Sequence, residues 1–340
     1  MIIYTYPVKT AFTERDVEMI EPHFSIKPLK FTDSPVKLPF YFVWQALQLL
    51  FYLPKTTHYL CFFAGYHSYL PVIFGKLFRK KVFIQCGGTD AMNMPAINYG
   101  NYRKNILRQF TEYSFRNCTK ILPVAEGLVK QNYQYSPLIP HAQGLKNLIP
   151  GLKTPIKVIH NGFSSEFWKD FGFERNPQTY ITVATGISKT NRAVIKGIDL
   201  IEELAERYPE ATFTVVGDSA YKTDLPNIKV LGKLSQKELH NLYNKHRFYL
   251  QLSMSEGFPN ALAEAMLSGC IPIGSAVGAI PEIIGDTGFI LEKKDTAALI
   301  KLVDAANLSD WKTLRLLAPL RVKTHYDYED RKNALLQVFR

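Results

Sequence analysis

The stretch Ser255-Glu-Gly-Phe-Pro-Asn-Ala-Leu-Ala-Glu264 follows an apolar run at 248–252 that reads as a buried strand. Gly257 and Pro259 predict a tight turn after that strand. Asn260 is a favourable N-cap for the helix-forming residues that come next. A strand, a glycine turn and a helix start bring several backbone N–H groups together, where the helix dipole adds partial positive charge. The stretch therefore predicts an anion site that suits a phosphate.

Two glutamates flank this predicted anion site. Glu256 lies in the turn, and Glu264 lies about one turn into the helix. Ionised carboxylates only accept hydrogen bonds, so both residues suit sugar hydroxyls on either side of a diphosphate. The other interpretation is a solvated Glu256 and a helix-surface Glu264. The spacing of the pair alone does not choose between the two.

The rest of the chain alternates β-rich runs with helical patterns, which predicts an α/β protein with parallel sheets covered by helices. Strands are predicted at 2–6, 58–63, 81–85, 120–124 and 156–159, and then at 180–185, 211–216, 228–231, 248–252, 271–273 and 289–291. Helices are predicted at 38–52, 68–79, 101–117 and 126–133, and then at 196–207, 235–244, 260–268, 295–306 and 310–322.

The length of 340 residues favours two domains, at roughly 150 residues per domain. Turn residues and weak periodicity place the connection within 160–178. We predict an N-terminal Rossmann-like domain at 1–162 and a C-terminal one at 163–325. A final helix at 326–340 is predicted to cross back to the first domain. Ligands in such sheets bind at the carboxyl ends of the strands.

The net charge of +11 is confined to the first half of the chain. Residues 1–160 hold 19 Lys+Arg and 8 Asp+Glu, whereas residues 161–340 hold 22 of each. A one-sided basic domain suggests an anionic partner, either a membrane surface, an acidic substrate or nucleic acid. No RRM, zinc-finger or helix-turn-helix pattern accompanies the charge, which disfavours nucleic acid. The cysteines are scattered and form no CxxC, which argues against disulfides or zinc and suits a reducing cytosol.

The most apolar stretch of the chain is 38–53, which is interrupted by Gln45 and Gln48. It is 16 residues long, short of the roughly 20 that a membrane-spanning helix needs. We interpret it as a buried helix, and the alternative is a helix that contacts a membrane. The first residues lack the basic and apolar regions of a signal peptide. The sequence also lacks GxGxxG, GxxxxGK[ST], HExxH and GxSxG, so the common dinucleotide, P-loop, zinc-protease and hydrolase interpretations have no motif to support them.

The stretch 255–264 resembles the E-x7-E signature of the retaining GT-B glycosyltransferases of family 4. This resemblance implies a GT-B architecture, with two Rossmann-like parallel-sheet domains facing a central cleft. It implies that Glu256 contacts the donor sugar and that Glu264 contacts the nucleotide ribose. The turn and helix start would then line the donor through Gly257, Phe258, Pro259, Asn260, Ala261 and Leu262, although proline has no N–H to donate.

Other segments of the second half resemble the same family in the expected order. The run Arg192-Ala-Val-Ile-Lys196-Gly197 resembles the Arg…Lys-Gly pair that holds the diphosphate. The family arginine commonly follows the strand-end glycine directly, but Ile187 stands there, so Arg192 or Lys189 could take that role. The strand ends 183–187 and 215–218 and the segment 230–234 also match. They imply further donor contacts at Gly186, Lys189, Gly217, Lys233 and Leu234.

The first domain gives weaker signals for the acceptor. His67 follows the strand at 59–63 and would point into the cleft, or it is a capping or packed histidine. Many family members have a histidine after the next strand, where this chain has Cys86 or Gly87. Asp90 is the nearest candidate for contacting the sugar or the acceptor hydroxyl, and a turn aspartate is the alternative. The run 87–100 resembles a surface-polysaccharide subset, which implies a glycan acceptor, often on a membrane lipid.

The resemblance implies transfer of a sugar from a nucleotide diphosphate sugar, with UDP as the expected nucleotide, to a hydroxyl of a glycan or lipid-linked glycan. The catalytic residues would be Glu256, Lys196, Arg192, Asp90 and His67. No metal or other cofactor is expected, because the metal-binding DxD motif is absent and cations can neutralise the diphosphate. The alternative is a nucleotide-sugar epimerase or another non-transferase GT-B enzyme. We expect a cytoplasmic protein whose basic first domain contacts the inner face of the cell membrane.

Overall fold

The computed structural model describes residues 1–189 and 191–340. In this part of the chain the strands are β1 Ile2–Tyr6, β2 Ile26–Lys30, β3 His58–Phe62, β4 Lys81–Cys86, β5 Lys120–Pro123, β6 Gln131–Asn132, β7 Ala142–Gln143, β8 Thr179–Val183, β9 Thr212–Val216, β10 Ile228–Leu231, β11 Phe248–Gln251, β12 Ile271–Ser275 and β13 Phe289–Leu291. The α-helices are α1 Ala11–Ile20, α2 Leu38–Tyr52, α3 Tyr66–Leu77, α4 Asn105–Asn117, α5 Leu145–Leu148, α6 Arg192–Ile195, α7 Ile198–Arg207, α8 Gln236–Tyr243, α9 Asn260–Leu267, α10 Ile280–Ile284, α11 Thr296–Leu308, α12 Trp311–His325 and α13 Tyr328–Phe339.

The chain divides into two compact units. Unit 1 consists of Met1–Asn132, Pro140–His160 and Glu329–Arg340, and unit 2 consists of Tyr133–Ile139 and Asn161–Tyr328. The predicted boundaries fall after residues 162 and 325. They do not place 133–139 with the second unit, where the Tyr133 hydroxyl donates to the Met254 carbonyl over 2.9 Å.

The core of unit 1 is a parallel sheet with strand order β2-β1-β3-β4-β5. Its inner strands are buried on both faces and carry continuous apolar runs, as parallel strands covered by helices do. The strand order reverses between β1 and β3, which makes the carboxyl ends of these two strands the place where a ligand is expected.

Unit 2 is built around a second parallel sheet, with order β10-β9-β8-β11-β12-β13. The chain moves outward from β8 through β9 to β10 and then returns to the other side of β8 as β11. The reversal therefore falls between β8 and β11, and the loops after these strands hold Gly186 and Glu256. The predicted α/β class with two parallel sheets is confirmed.

The last helix, α13, is held in unit 1 by a buried ion pair. Arg331 donates to Asp16 Oδ1 over 2.9 Å, and both side chains are buried. The same guanidinium donates to the carbonyls of Ile159 and His160, and its Cζ lies 4.7 Å from the centroid of the Phe12 ring. Several hydrogen bonds satisfy this buried charge, as a buried ion pair requires.

Some predicted elements are wrong. The helix predicted over 126–133 is a short 3-10 turn, Glu126–Leu128, followed by β6. The strand predicted at 156–159 forms only one bridge, between Ile156 and Ile121. Helix α1 and strand β2 were not predicted.

The interpretation of 38–53 as a buried helix is also wrong. Helix α2 forms over Leu38–Tyr52, but only Gln45 and Leu49 in it are buried. The remaining apolar side chains are partly or largely exposed. All four cysteines are buried and none forms a disulfide with another.

Candidate functional site

Glu256 forms an ion pair with Lys196 at the carboxyl end of β11. The Lys196 ammonium lies 2.5 Å from Glu256 Oε1, and both side chains are partly exposed. The Ser253 hydroxyl and the Gln251 amide also donate to Oε1, over 2.9 and 3.2 Å. All three donors reach one carboxylate oxygen, and no residue in 1–189 or 191–340 donates to Oε2. Glu256 is therefore fixed in place with one oxygen available to a ligand.

The turn that carries Glu256 is held by close backbone contacts on two sides. Met254 N–H donates to the Ile195 carbonyl, and Ala279 N–H donates to the Gly257 carbonyl. Gly278 has φ +54°, and a Cβ there would lie 2.0 Å from the Glu256 carbonyl oxygen. Only glycine fits this position without moving the turn. The loop after β12 and the end of α6 therefore position Glu256.

Helix α9 begins at Asn260, the residue that was predicted to be its N-cap. Pro259 is the N-cap residue and Asn260 is the first helical residue, so Asn260 is not the N-cap. The Asn260 side-chain oxygen instead accepts from the Asn161 amide over 2.7 Å. Among the predicted donor contacts, the side chains of Phe258 and Leu262 are buried in the core. They can therefore contribute to a donor site only through their backbone.

A cationic cavity of about 400 Å³ lies at the carboxyl ends of β8 and β9 in unit 2. Its lining brings together five of the predicted residues, namely Gly186, Lys189, Arg192, Gly217 and Lys233. Helix α6 joins Arg192 in this lining to Lys196, which directly follows the helix. Leu234 and Ala261 are partly exposed, whereas Glu264 is buried on α9. Three cations around one cavity create a positive potential that suits an anion.

Ser188 and Asp218 also line this cavity and were not among the predicted site residues. Ser188 donates from its N–H and its hydroxyl to Asp218 Oδ2, over 2.9 and 2.6 Å. These hydrogen bonds lower the pKa of Asp218. The motif 215–218 pointed to Gly217 and contains Asp218 as its last residue, so the motif itself could have identified Asp218 as a residue of the cavity. The pair joins the turn after β8 to the turn after β9.

Unit 1 has its own cavity, of about 270 Å³, at the carboxyl end of β3. His67 and Lys104 contribute to its lining, as does Leu38, the first residue of α2. His67 is buried, and its Nε2 lies 2.7 Å from the Phe62 carbonyl oxygen, which identifies Nε2 as the protonated nitrogen. Burial lowers the pKa of His67 to about 4, so the ring is neutral near pH 7.

Asp90 is completely buried and binds backbone groups. Its Oδ2 accepts from Ala64 N–H over 3.0 Å, and its Oδ1 accepts from the N–H groups of Gly87 and Gly88 over 3.2 and 3.1 Å. Burial raises the pKa of this carboxyl to about 6. Asp90 thus ties the loop after β3 to the loop after β4, and no part of its carboxyl faces solvent.

Residues 180–306 match the family model described as "Glycosyl transferases group 1". The chain is 28% identical to a human relative, one subunit of phosphatidylinositol N-acetylglucosaminyltransferase, over 52% of this chain and 39% of that protein. It is 25% identical to the N-acetyl-alpha-D-glucosaminyl L-malate synthase of Bacillus anthracis, over 65% of this chain and 57% of that protein. The chain thus spans less than two thirds of the length of either relative.

Solved structures resemble the whole chain. Sucrose-phosphate synthase from Thermosynechococcus elongatus has a TM-score of 0.74 at 12% identity, covering 100% of this chain and 98% of that chain. Anabaena HepE in complex with UDP and glucose has a TM-score of 0.72 at 13% identity, covering 99% and 98%. At such identities the likeness shows the fold. The chain therefore has the GT-B fold, and its residues 180–306 resemble the family described as glycosyl transferases group 1.

Proposed function

We propose that this protein transfers a sugar from a nucleotide diphosphate sugar to a hydroxyl of a glycan or lipid-linked glycan acceptor, as a retaining enzyme of family 4. The observation that carries the proposal is the ion pair between Lys196 and Glu256. Lys196 directly follows α6, and the first residue of that helix, Arg192, lines the cationic cavity of unit 2. Cations and an accepting carboxylate are the groups that a sugar diphosphate requires.

The donor diphosphate would lie against Lys196 and Arg192, with Lys189 and Lys233 adding to the positive potential. A phosphate oxygen competes with Glu256 for the Lys196 ammonium. Donor binding would therefore release Glu256 from Lys196, while Ser253 and Gln251 still hold Oε1 and Oε2 accepts from a sugar hydroxyl. Glu264 is assigned to the nucleotide ribose by the E-x7-E resemblance. UDP is the proposed nucleotide, supported by the UDP held in the HepE structure.

In the proposed reaction the bond between the anomeric carbon and the diphosphate oxygen breaks. The acceptor oxygen bonds to the same face of the anomeric carbon, and its proton passes to an oxygen of the leaving diphosphate. Lys196 and Arg192 stabilise the negative charge that develops on that leaving group. These cations take the place of a metal ion in the proposal. Glu256 binds outer hydroxyls of the sugar and is not the nucleophile.

The proposal gives Asp90 and His67 a positioning role. Both side chains bind backbone atoms in unit 1, where they shape the loops around the 270 Å³ cavity. We assign the acceptor to this cavity, because it lies at the strand reversal of unit 1.

Calorimetric titration with UDP, GDP, ADP and CMP tests the donor site. We expect one diphosphate to bind, and Lys196→Ala to weaken that binding at least tenfold, about the effect of losing a charge-assisted hydrogen bond. The matched control is Lys237→Ala, which removes an exposed lysine on α8 outside the cavity. Equal binding by wild type and Lys196→Ala would refute the site.

Donor turnover without acceptor tests the chemistry. Water then acts as a slow acceptor, and proton NMR of the first product formed shows its anomeric configuration. Release of the sugar with the donor's own configuration, in the presence of a chelator, is expected for a retaining, metal-independent enzyme. Isomerisation of the intact donor would instead favour the epimerase alternative.

A further inference from the structure

Helix α2 presents a continuous apolar stripe to solvent. Its members are between 47% and 77% exposed, and they are Phe40, Val43, Trp44, Leu47, Leu50 and Phe51. Their spacing of three and four residues puts all six on one face of the helix. Exposed apolar surface of this extent marks an interaction site. None of these six residues takes part in the proposed sugar transfer.

The opposite face of α2 is attached to unit 1. Leu49 is fully buried, and the buried Gln45 amide donates to the His67 carbonyl over 2.9 Å. With its flanking 3-10 turns the helix runs from Pro35 to Lys55, which is long and apolar enough to cross a membrane by length and composition. The connections of α2 to the sheet of unit 1 argue against a membrane-spanning helix. Helix α2 joins β2 to β3, and both strands pair with β1, so both ends of the helix stay on one side of any membrane.

Charge identifies what covers the stripe. The segment 35–55 contains no Asp or Glu, and it carries Lys37 and Lys55 at its two ends. Lys27 on the edge strand β2 is exposed, and its ammonium lies 5.6 Å from the Tyr52 ring centroid at the end of α2. An apolar face with aromatic side chains, bracketed by lysines, matches a helix that lies in the interface of an anionic bilayer.

We propose that the exposed face of α2 docks unit 1 onto a bilayer of anionic lipids, with the helix axis parallel to the membrane surface. The apolar stripe enters the acyl region, and Lys27, Lys37 and Lys55 reach the phosphates of the headgroups. This part of the proposal is independent of the enzymatic activity.

A consequence for the acceptor rests on the proposed function. Leu38 begins α2 and also lines the 270 Å³ cavity of unit 1, as does the exposed Lys104. Docking through α2 therefore brings this cavity close to the headgroup layer. A hydroxyl carried on a lipid headgroup can enter it while the acyl chains stay in the bilayer.

Vesicle flotation of the full chain tests the docking. We expect binding to vesicles of phosphatidylcholine with phosphatidylglycerol, and at least a tenfold loss in the triple variant Phe40→Ser, Leu47→Ser, Phe51→Ser. The matched control removes three exposed leucines from unit 2, as Leu308→Ser, Leu316→Ser and Leu320→Ser, and should bind as wild type does. Equal flotation of both variants, or no flotation of wild type, would overturn the proposal. A wild-type dimer that the α2 variant converts to monomer, without vesicle binding, would identify a second copy as the occupant instead.

Two further readouts locate the contact. Trp44 emission should shift to shorter wavelength on vesicles, and Trp44→Phe should abolish the shift whereas Trp311→Phe should not. Replacing Lys27, Lys37 and Lys55 by Gln should weaken binding to the anionic vesicles about fivefold per lysine. The same change at three exposed lysines of unit 2, Lys237, Lys301 and Lys312, is the control. A shift that survives Trp44→Phe, or equal losses in both lysine sets, would contradict docking through α2.

UDP titration of the α2 triple variant separates the two proposals. Unchanged UDP affinity with lost flotation supports docking and leaves the donor site intact. If wild type floats but binds none of the four nucleotides, the proposed function fails and docking stands.

Discussion

The two units use charged and polar side chains at their strand ends in opposite ways. In unit 2 these side chains are exposed or partly exposed and bind one another, as Lys196 binds Glu256 and Ser188 binds Asp218. In unit 1 the comparable side chains, Asp90 and His67, are buried and bind backbone groups. A side-chain pair can exchange its partner for a ligand, whereas a buried carboxyl holding three N–H groups cannot. The side chains at the strand ends of unit 2 can therefore exchange partners with a charged ligand, whereas those of unit 1 fix the loops around a cavity.

The largest effect is expected from Gly278→Ala in unit 2. Alanine at φ +54° is strained, and its Cβ would collide with the Glu256 carbonyl. We expect a loss of unfolding free energy of about 3 kcal/mol or more, together with weaker UDP binding. The matched control is Gly172→Ala, where φ is +77° but nothing lies within 4 Å, so about 1 kcal/mol is expected. Chemical denaturation measures both, and equal losses would show that the contact with Glu256 does not matter.

Glu256→Gln should separate sugar transfer from diphosphate binding. The amide leaves Lys196 without its ionic partner, so UDP affinity should stay the same or rise. Loss of the accepting carboxylate oxygen should slow turnover of the UDP-sugar about 100-fold, or roughly 2.7 kcal/mol. Calorimetry with UDP checks the predicted affinity, and the rate of UDP-sugar turnover checks the predicted loss of activity. A parallel fall in UDP affinity would mean that Glu256 serves mainly to hold the turn.

Asp90→Asn should lower the stability of unit 1 by about 1–3 kcal/mol near pH 5, because one N–H donor would then face the new amide N–H₂. The loss of stability caused by Asp90→Asn should be smaller at pH 8. The folded pKa of about 6 exceeds the ordinary 3.8, so the folded state binds more protons between these values and the aspartate form loses stability as pH rises. Denaturation curves at the two pH values check this. A larger cost at pH 8 would contradict the buried environment of Asp90.

The smallest effect concerns His67, whose folded pKa of about 4 lies below its ordinary 6.5. The unfolded state then binds more protons between these values, so the imidazole lowers stability as pH falls from 6.5 to 4. His67→Gln should remove this slope, about 1 kcal/mol per pH unit, from the unfolding free energy. Titration by NMR near pH 6.5 would contradict the burial of His67.

The sequence predicted unit 2 better than unit 1, for physical reasons. The strands of unit 2 are apolar runs that end at turns, so most of their bounds were found within two residues. Strand β2 was missed because it is an edge strand that exposes Lys27, Pro28 and Lys30. Edge strands carry such residues to avoid pairing with other chains, which weakens their apolar pattern.

The amino-acid composition of the two apolar helices α2 and α9 did not predict which of them is buried by other parts of the protein. Every residue of α9 from Leu262 to Leu267 is buried, including the charged Glu264, whereas α2 is longer and carries no charged residue yet is largely exposed. Burial depends on which elements pack against a helix, and the sequence does not state this. The sequence pointed to Gly186, Lys189 and Gly217 in the cationic cavity because they follow strands that the parallel sheet brings side by side. Gln251 and Ser253 were missed because polar residues at a strand end have no distinctive spacing.

Hydrogen–deuterium exchange of the full chain, with UDP and separately with anionic vesicles, tests the division of roles most directly. We expect UDP to slow exchange at 191–197 and 256–262 in unit 2 and to leave 38–52 unchanged. Vesicles should slow exchange at 38–52 and leave the unit 2 segments unchanged. Protection of the unit 2 segments by vesicles, or of 38–52 by UDP, would contradict the assignment of the anionic ligand to unit 2 and of the membrane surface to unit 1.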